Sequence, residues 1–130
     1  MDKLGPSLVH VVDDDEAVRD SMRVLLESYG IEVRDYASAQ DFLASNLRTP
    51  AGCLLLDLHM PGMTGLELLE LLRRDGSTLP VIIITGRGDS VLKERAARAG
   101  AVALLDKPVD DDALLNLLMR ALAAAECRCN

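Results

Sequence analysis

Aromatic residues are scarce in this sequence, and their scarcity limits what the core can be made of. Tyr29, Tyr36 and Phe42 are the only aromatic residues, and there is no tryptophan. Hydrophobic residues nevertheless make up 49% of the 130 positions, so the core must consist mainly of aliphatic side chains. A chain of this length is expected to form one domain with a substantial core.

The sequence also lacks the patterns of zinc binding, membrane insertion and secretion. Its cysteines, Cys53, Cys127 and Cys129, are odd in number and do not have the paired spacing of a zinc site. No apolar run approaches the length of a membrane span, and the N-terminus has no apolar signal segment. We expect Cys53 to pack as a small hydrophobic residue and residues 126–130 to form a disordered tail. These features predict a cytoplasmic protein.

The sequence also has fewer positively charged than negatively charged residues. The chain has 14 lysines and arginines against 21 aspartates and glutamates, which gives a net charge of -7. Nucleic-acid backbones are bound mainly by lysine and arginine, so this balance argues against direct binding of nucleic acid. An acidic protein that handles phosphate must neutralise its own field locally, and a bound divalent cation is a common means.

Short apolar runs alternate with segments of helical periodicity along the chain. Residues 53–58 and 81–85 are nearly unbroken in their apolar character, which is typical of strands covered on both faces. Strands that alternate with crossover helices predict a parallel α/β sheet. The expected strands are β1 (8–12), β2 (31–36), β3 (53–58), β4 (81–85) and β5 (101–105). The expected helices are α1 (16–30), α2 (38–46), α3 (66–74), α4 (89–100) and α5 (111–125).

The predicted helix α1 is amphipathic. Residues of its polar face, among them Arg19 and Arg23, are expected to face solvent, and Gly30 suits a C-terminal cap. Its apolar face comprises Val18, Met22, Leu25, Leu26 and Tyr29 at helical spacing.

Two runs of three aspartates, residues 13–15 and 110–112, require an explanation because adjacent carboxylates repel each other. The second run stands at the start of α5, where carboxylates cap free N–H groups and meet the positive end of the helix dipole. Asp15 is expected to do the same for α1. Asp13 and Asp14 differ because they directly follow a strand.

Polar side chains stand at the ends of four predicted strands. Asp13 and Asp14 follow β1, Asp57 lies near the end of β3, Thr85 ends β4 and Lys107 follows β5. In open α/β sheets, ligands bind beyond the carboxyl ends of the strands, where strand order reverses. The sequence therefore predicts that these five residues meet at one edge of the sheet.

The apolar strand β3 is an unfavourable place for Asp57, because burying an unpaired carboxylate is costly. Near Asp13 and Asp14 it would also suffer like-charge repulsion. Mg²⁺ prefers oxygen ligands and can leave positions for a phosphate, and an aspartate beside it can attack phosphorus. With Thr85 and Lys107 as further contacts to phosphoryl oxygens, this set predicts phosphoryl transfer.

Each of these residues has a simpler interpretation when taken alone. An aspartate at the end of a strand most often caps the next helix. A threonine before a glycine commonly belongs to a turn, and an exposed lysine is usually a solvated charge. The functional hypothesis depends on their meeting at one edge of the sheet.

The segments VVDDDEAVR, LLLDLHMPGMTGLELL, VIIITGRGD and GAVALLDKPV together resemble the receiver domain of bacterial two-component response regulators. DLHMPGMTG and ITGRGD are similar to the FixJ-like branch of that family. The resemblance covers residues 8–122 of a single domain, residues 1–130. It implies a flavodoxin-like (βα)5 three-layer sandwich with a parallel five-stranded sheet in the order 2-1-3-4-5.

The resemblance also implies a role for each residue of the predicted phosphoryl site. Asp57 would be the phosphoacceptor, Thr85 the switch hydroxyl that moves toward the phosphoryl group, and Lys107 the cation that pairs with it. The peptide bond between Lys107 and Pro108 would be cis, a geometry tolerated chiefly before proline.

By the same resemblance the acidic residues would bind Mg²⁺, with Mn²⁺ as a possible substitute. Asp14 and Asp57 would be direct ligands, together with the backbone carbonyl of His59, and Asp13 would act through water. His59 could alternatively be read as a phosphoryl acceptor or as a side-chain ligand, but a solvent-facing loop position is the simpler interpretation.

Three further positions follow from the resemblance. His59 and Arg87 would flank the path of attacking water and set the lifetime of the phosphorylated form. Leu104 stands where many receivers place an aromatic residue that moves with the threonine. Coupling through Leu104 would therefore need a smaller repacking, or would be replaced by movement of the loosely held α4.

The expected function is a phosphorylation-activated switch. A sensor histidine kinase or a phosphotransfer protein would be the donor, and the α4-β5-α5 surface would change its preference for an output partner, for an output DNA-binding domain outside this chain, or for a second copy of the chain. The protein would catalyse its own phosphorylation and slow dephosphorylation while acting chiefly as a regulator.

Two rival functions remain open. One is a pseudo-receiver that binds proteins without phosphoryl chemistry, although such proteins usually lose one of the five site residues. The other is a small phosphatase or nucleotide-binding enzyme, although the sequence has no GxxxxGK[ST] loop, no GxGxxG turn and no aspartate two residues after Asp57.

Overall fold

The computed structural model describes residues 8–45, 52–86 and 90–128, with side chains described as far as residue 123. The strands are β1 Leu8–Val12, β2 Glu32–Tyr36, β3 Cys53–Asp57, β4 Val81–Thr85 and β5 Ala103–Asp106. The helices are α1 Glu16–Glu27, α2 Ala39–Ala44, α3 Gly65–Arg74, α4 Ser90–Arg98 and α5 Asp111–Arg128.

All five strands are parallel and form one sheet in the order β2-β1-β3-β4-β5. Helices α1 and α5 pack on one face, where Leu26 and Leu118 belong to the same buried cluster as Leu55 and Ile82. Helices α2, α3 and α4 cover the other face. These three layers confirm the predicted flavodoxin-like fold.

Two of the three aromatic side chains, Tyr36 and Phe42, lie together in the second buried cluster. Phe42 of α2 packs edge-to-face against Tyr36 of β2, with ring centroids 5.2 Å apart, and also against His10 of β1. The rest of that core is aliphatic, as the composition predicts. Cys53 is fully buried among these apolar strands, which confirms its packing role.

Local caps begin the helices where the sequence places them. The carboxylate of Asp15 accepts hydrogen bonds from the N–H groups of Ala17 and Val18 at the start of α1. The carboxylate of Asp110 accepts one from Ala113 N–H at 2.9 Å. Both capping predictions for the two aspartate runs are therefore confirmed.

The end of α1 differs from the prediction. The helix stops at Glu27, and Tyr29 is 56% exposed, so its assignment to the apolar face was wrong. Gly30 adopts a positive φ of 78°, which turns the chain back so that Ile31 N–H bonds to the carbonyl of Leu26. Ile31 is buried in the same core cluster as Leu26, whereas Tyr29 is not part of it.

The last two elements are also displaced along the sequence. Strand β5 begins at Ala103 rather than at residue 101, because Ala101 N–H bonds to the Ala96 carbonyl and closes the end of α4. Val102 is 57% exposed. Helix α5 continues to Arg128 and so includes three residues of the expected tail.

Within the described ranges, no helix has both the length and the apolar character needed to cross a membrane.

Candidate functional site

The register of the sheet brings the predicted site residues to one edge. Val12 pairs with Leu56, so the next residues along the two strands, Asp13 and Asp57, lie side by side. Strand β4 ends at the neighbouring Thr85. Thr85 in turn pairs with Asp106 in β5, and Lys107 follows it. All five predicted residues therefore reach the carboxyl edge of the sheet.

Asp13 is held in place by several hydrogen bonds. Its N–H donates to the carbonyl of Tyr36 at 3.2 Å, which extends the pairing of β1 with β2 by one residue. Its Oδ1 accepts from Asp15 N–H at 2.9 Å, and its backbone carbonyl accepts from Nη1 of Arg19 at 2.8 Å. The Asp13 side chain is buried, whereas Asp14 next to it is exposed.

Asp57 is the last residue of β3 and is also buried. Its carboxylate accepts a hydrogen bond from the backbone N–H of His59, whose side chain is exposed. Helix α3 begins very close to it, since a Cβ on Gly65 would lie only 2.1 Å from the carbonyl oxygen of Asp57. The backbone of Asp57 is thus enclosed by the start of the next helix.

Thr85 and Lys107 complete the edge. The hydroxyl of Thr85, fully buried, donates to the carbonyl of Gly86 at 3.0 Å. Lys107 N–H donates to the Thr85 carbonyl at 2.8 Å, and the bond from Lys107 to Pro108 is cis. The Nζ atom of Lys107 lies 3.4 Å from Oδ1 of Asp57 and 3.6 Å from Oδ2 of Asp13.

The three carboxylates form a cluster that suits a hard divalent cation. Asp13, Asp14 and Asp57 each offer an oxygen, and these oxygens lie within 4.8 Å of one another. Two of the three side chains are buried, and Lys107 provides a single positive charge against them. Oxygen donors with this excess of negative charge are the chemistry that Mg²⁺ requires.

The pKa values of residues in the cluster reflect the same excess of negative charge. Burial, followed by repulsion from Asp13, raises the pKa of Asp57, and the charge of Lys107 offsets this only in part. Burial likewise raises the pKa of Asp13. Burial acts to lower the pKa of Lys107, but the two carboxylates outweigh it and hold that pKa above its usual value. The ionised forms of Asp13 and Asp57 are therefore destabilised until further positive charge is bound beside them.

Two predicted positions remain, Leu104 and Arg87. Leu104 is half-buried in β5, pairs with Ile83 and packs against the second core cluster. Arg87 lies outside the described residues.

Arg19 was not recognised from the sequence as part of this site. Its side chain is only 15% exposed and reaches back to the β1-α1 turn, although its position in α1 predicted a solvent-facing residue. A helical pattern reports which face a residue occupies but does not show how far a long side chain folds back.

The fold and the edge together define a class: a flavodoxin-like α/β domain with an acidic pocket, a hydroxyl and a lysine at the carboxyl ends of its strands. Residues 9–119 match the response regulator receiver domain family, and the chain belongs to that family.

Its relatives include transcriptional regulators. The chain is 44% identical over 114 residues to the transcriptional regulatory protein FixJ of Azorhizobium caulinodans, covering 88% of this chain and 54% of that protein. It is 41% identical to the C4-dicarboxylate transport transcriptional regulatory protein DctR of Rhodobacter capsulatus, with coverage of 92% and 62%. The chain thus spans between half and two thirds of the length of these relatives, and it is a receiver domain of the FixJ-like kind.

Solved structures agree with this assignment. A crystal structure of FixJ-N superposes with a TM-score of 0.84 at 38% identity, covering 95% of this chain and 96% of that one. A CheY-like receiver domain protein from Methanospirillum hungatei gives 0.86 at 32% identity, with coverage of 94% and 98%.

Proposed function

We propose that this receiver domain is a phosphorylation-dependent switch in which Asp57 accepts a phosphoryl group from a sensor histidine kinase or a phosphotransfer protein. The observation that carries the proposal is the placement of Asp57 beside both other pocket aspartates, with the Lys107 ammonium 3.4 Å from its carboxylate. A buried carboxylate with an adjacent cation and a pocket for metal can act as a nucleophile toward phosphorus.

The acidic cluster supports a Mg²⁺-dependent reaction, with Mn²⁺ as a substitute. Asp14, Asp57 and the carbonyl of His59 would bind the ion directly, and Asp13 would bind it through water. When bound, the ion supplies positive charge at the phosphoryl oxygens and offsets the repulsion among the carboxylates.

Side chains of the protein would perform the other steps of the phosphoryl transfer. A carboxylate oxygen of Asp57 forms the new bond to phosphorus, while the bond from phosphorus to the donor nitrogen breaks and its electron pair stays on that nitrogen. Lys107 pairs with one phosphoryl oxygen. The Thr85 hydroxyl, which donates to the Gly86 carbonyl in this structure, would turn toward another. Water would later hydrolyse the aspartyl phosphate slowly, at a rate influenced by His59 and Arg87.

The output would pass through the α4-β5-α5 surface. Strand β5 links the site to this surface, because Thr85 pairs with Asp106, and Asp106 binds Lys93 of α4 at 2.6 Å. Leu104 in the same strand would repack when Thr85 moves. A structural change at the α4-β5-α5 surface would alter its binding to an output DNA-binding domain, to another protein or to a second copy of the chain. The named relatives, which are transcriptional regulators, support a role of this kind in the cytoplasm.

Intact mass spectrometry after incubation with acetyl phosphate tests the proposal directly. We expect a phosphoryl adduct on the wild type with Mg²⁺, little without it, and none on Asp57→Asn. An absent adduct on the wild type, or an equal adduct on Asp57→Asn, would overturn the assignment and favour a pseudo-receiver that binds partners without phosphorylation. Size-exclusion chromatography of the same samples reports whether phosphorylation produces a dimer.

A further inference from the structure

We propose that Arg19 is a positioning residue for the metal pocket, acting through the backbone that joins Asp13 to Asp14. The inference rests on the proposed function and deepens it. Arg19 contacts no reacting group, so its role would be to hold two pocket carboxylates where a divalent cation can use both of them.

The guanidinium of Arg19 bridges two elements. Its Nη1 donates to the carbonyl of Asp13 at 2.8 Å, and its Nε donates to Oδ2 of Asp35, at the end of β2, at 3.2 Å. The planar fork of an arginine fixes two such bonds in one geometry. With only 15% of the side chain exposed, water has limited access to replace either bond.

The bond to Asp13 constrains Asp14 as well. The peptide unit between them is planar, so fixing the Asp13 carbonyl oxygen also fixes the direction of the Asp14 N–H and the position of its Cα. The N–H of Asp13 is already held by Tyr36. Arg19 therefore fixes the peptide plane that precedes Asp14, whose side chain is exposed. Without that bond, ordering Asp14 would use part of the binding free energy of the cation, and the cation would bind more weakly.

Arg23 offers a matched control on the next turn of α1. It pairs with the same carboxylate, Asp35, and also with Glu27 at 3.1 Å and the Val33 carbonyl at 3.3 Å. None of these partners belongs to the acidic pocket. Replacing Arg23 thus removes at least as many polar contacts as replacing Arg19, but leaves the Asp13 carbonyl bonded.

The test compares Arg19→Gln with Arg23→Gln in the full chain. Mg²⁺ affinity is measured by isothermal titration calorimetry, and stability is measured by urea unfolding in EDTA. We expect Arg19→Gln to weaken Mg²⁺ binding about tenfold, as loss of outer-sphere partners typically does. We expect Arg23→Gln to keep the wild-type Kd for Mg²⁺, although it should lower the free energy of unfolding about as much as Arg19→Gln does. Equal Kd values in the two variants would overturn the inference.

A second variant keeps the test informative if Arg19→Gln does not fold. Arg19→Lys retains the charge but not the fork, so its Mg²⁺ Kd should lie above that of the wild type, and a Kd equal to the wild type would overturn the inference. Failure of the proposed function looks different. A wild type that binds no Mg²⁺ and gains no phosphoryl adduct would overturn that function, and this inference with it.

Discussion

The Nζ atom of Lys107 lies 3.4 Å from Oδ1 of Asp57, and the same ammonium lies 3.6 Å from Oδ2 of Asp13. One cation therefore serves two buried carboxylates, which also repel each other. Burial and then repulsion from Asp13 raise the pKa of Asp57, because the single charge of Lys107 does not offset them. The excess of negative charge that remains accounts for the affinity we expect for a divalent cation.

The raised pKa of Asp57 leads to a pH-dependent stability prediction. Well below the ordinary aspartate pKa of about 3.9 the carboxyl is protonated in both folded and unfolded chains, so its ionisation does not affect stability. As the pH rises through the raised pKa, the folded state loses stability relative to the unfolded state. In EDTA we therefore expect Asp57→Asn to be more stable than the wild type at pH 7.5, and to lose this advantage as the pH falls. Urea unfolding at several pH values measures the difference.

The exposed Asp20, in α1, provides the control for that series. Asp20→Asn should unfold like the wild type throughout. The explanation would be wrong if the advantage of Asp57→Asn were as large at pH 3.5 as at pH 7.5, because it would then not come from charge.

We expect the residues of the first aspartate run, 13–15, to have different roles, namely metal binding and helix capping. Asp14 contributes an oxygen to the carboxylate cluster, whereas Asp15 caps α1. At about 100 times Kd, Mg²⁺ should stabilise the wild type by about 2.7 kcal/mol. We expect Asp14→Asn to lose most of this gain and Asp15→Asn to keep it, since asparagine caps a helix as well as aspartate does. Thermal unfolding with and without Mg²⁺ provides the measurement, and equal losses in both variants would contradict the division.

Cys53 should be inert in the folded protein. Burial raises the pKa of its thiol to about 12, so almost none of it is the reactive thiolate at pH 8. In a variant with Cys127→Ser and Cys129→Ser, iodoacetamide should leave the native chain unmodified and alkylate it fully in urea, as read by intact mass. Rapid alkylation of the native variant would contradict the buried position.

Gly65 should be intolerant of any side chain. A Cβ there would lie 2.1 Å from the Asp57 carbonyl oxygen, which is backbone and cannot rotate away. We expect Gly65→Ala to cost more than about 2 kcal/mol in urea unfolding, in the range of overpacked sites, and to lower phosphorylation because β3 must shift.

Gly76 is the matched glycine for that comparison. It has a positive φ of 88° but open space around its Cβ direction, so Gly76→Ala should cost only about 1 to 2 kcal/mol through backbone strain. Phosphorylation of Gly76→Ala should be unchanged. Equal effects of the two substitutions would mean that the close approach of α3 to Asp57 is not what matters.

Much of the site could be predicted because it depends on chain order alone. Apolar runs alternating with helices require a parallel sheet, and the carboxyl ends of parallel strands meet at one edge. Asp13, Asp14, Asp57, Thr85 and Lys107 each directly end or follow a strand, so their meeting follows from the pattern. The caps at Asp15 and Asp110 were also predictable, since a cap involves only its own first turn.

Features that depend on contacts between distant elements were decided only by the tertiary structure. Tyr29 has the right spacing for the apolar face of α1, but Gly30 turns the chain and Ile31 occupies the core instead. Arg19 has the spacing of an exposed residue, yet it bridges Asp13 and Asp35 because folding brings β2 alongside β1. Periodicity determines which face of an element a residue occupies, whereas the packed neighbours determine what its side chain reaches.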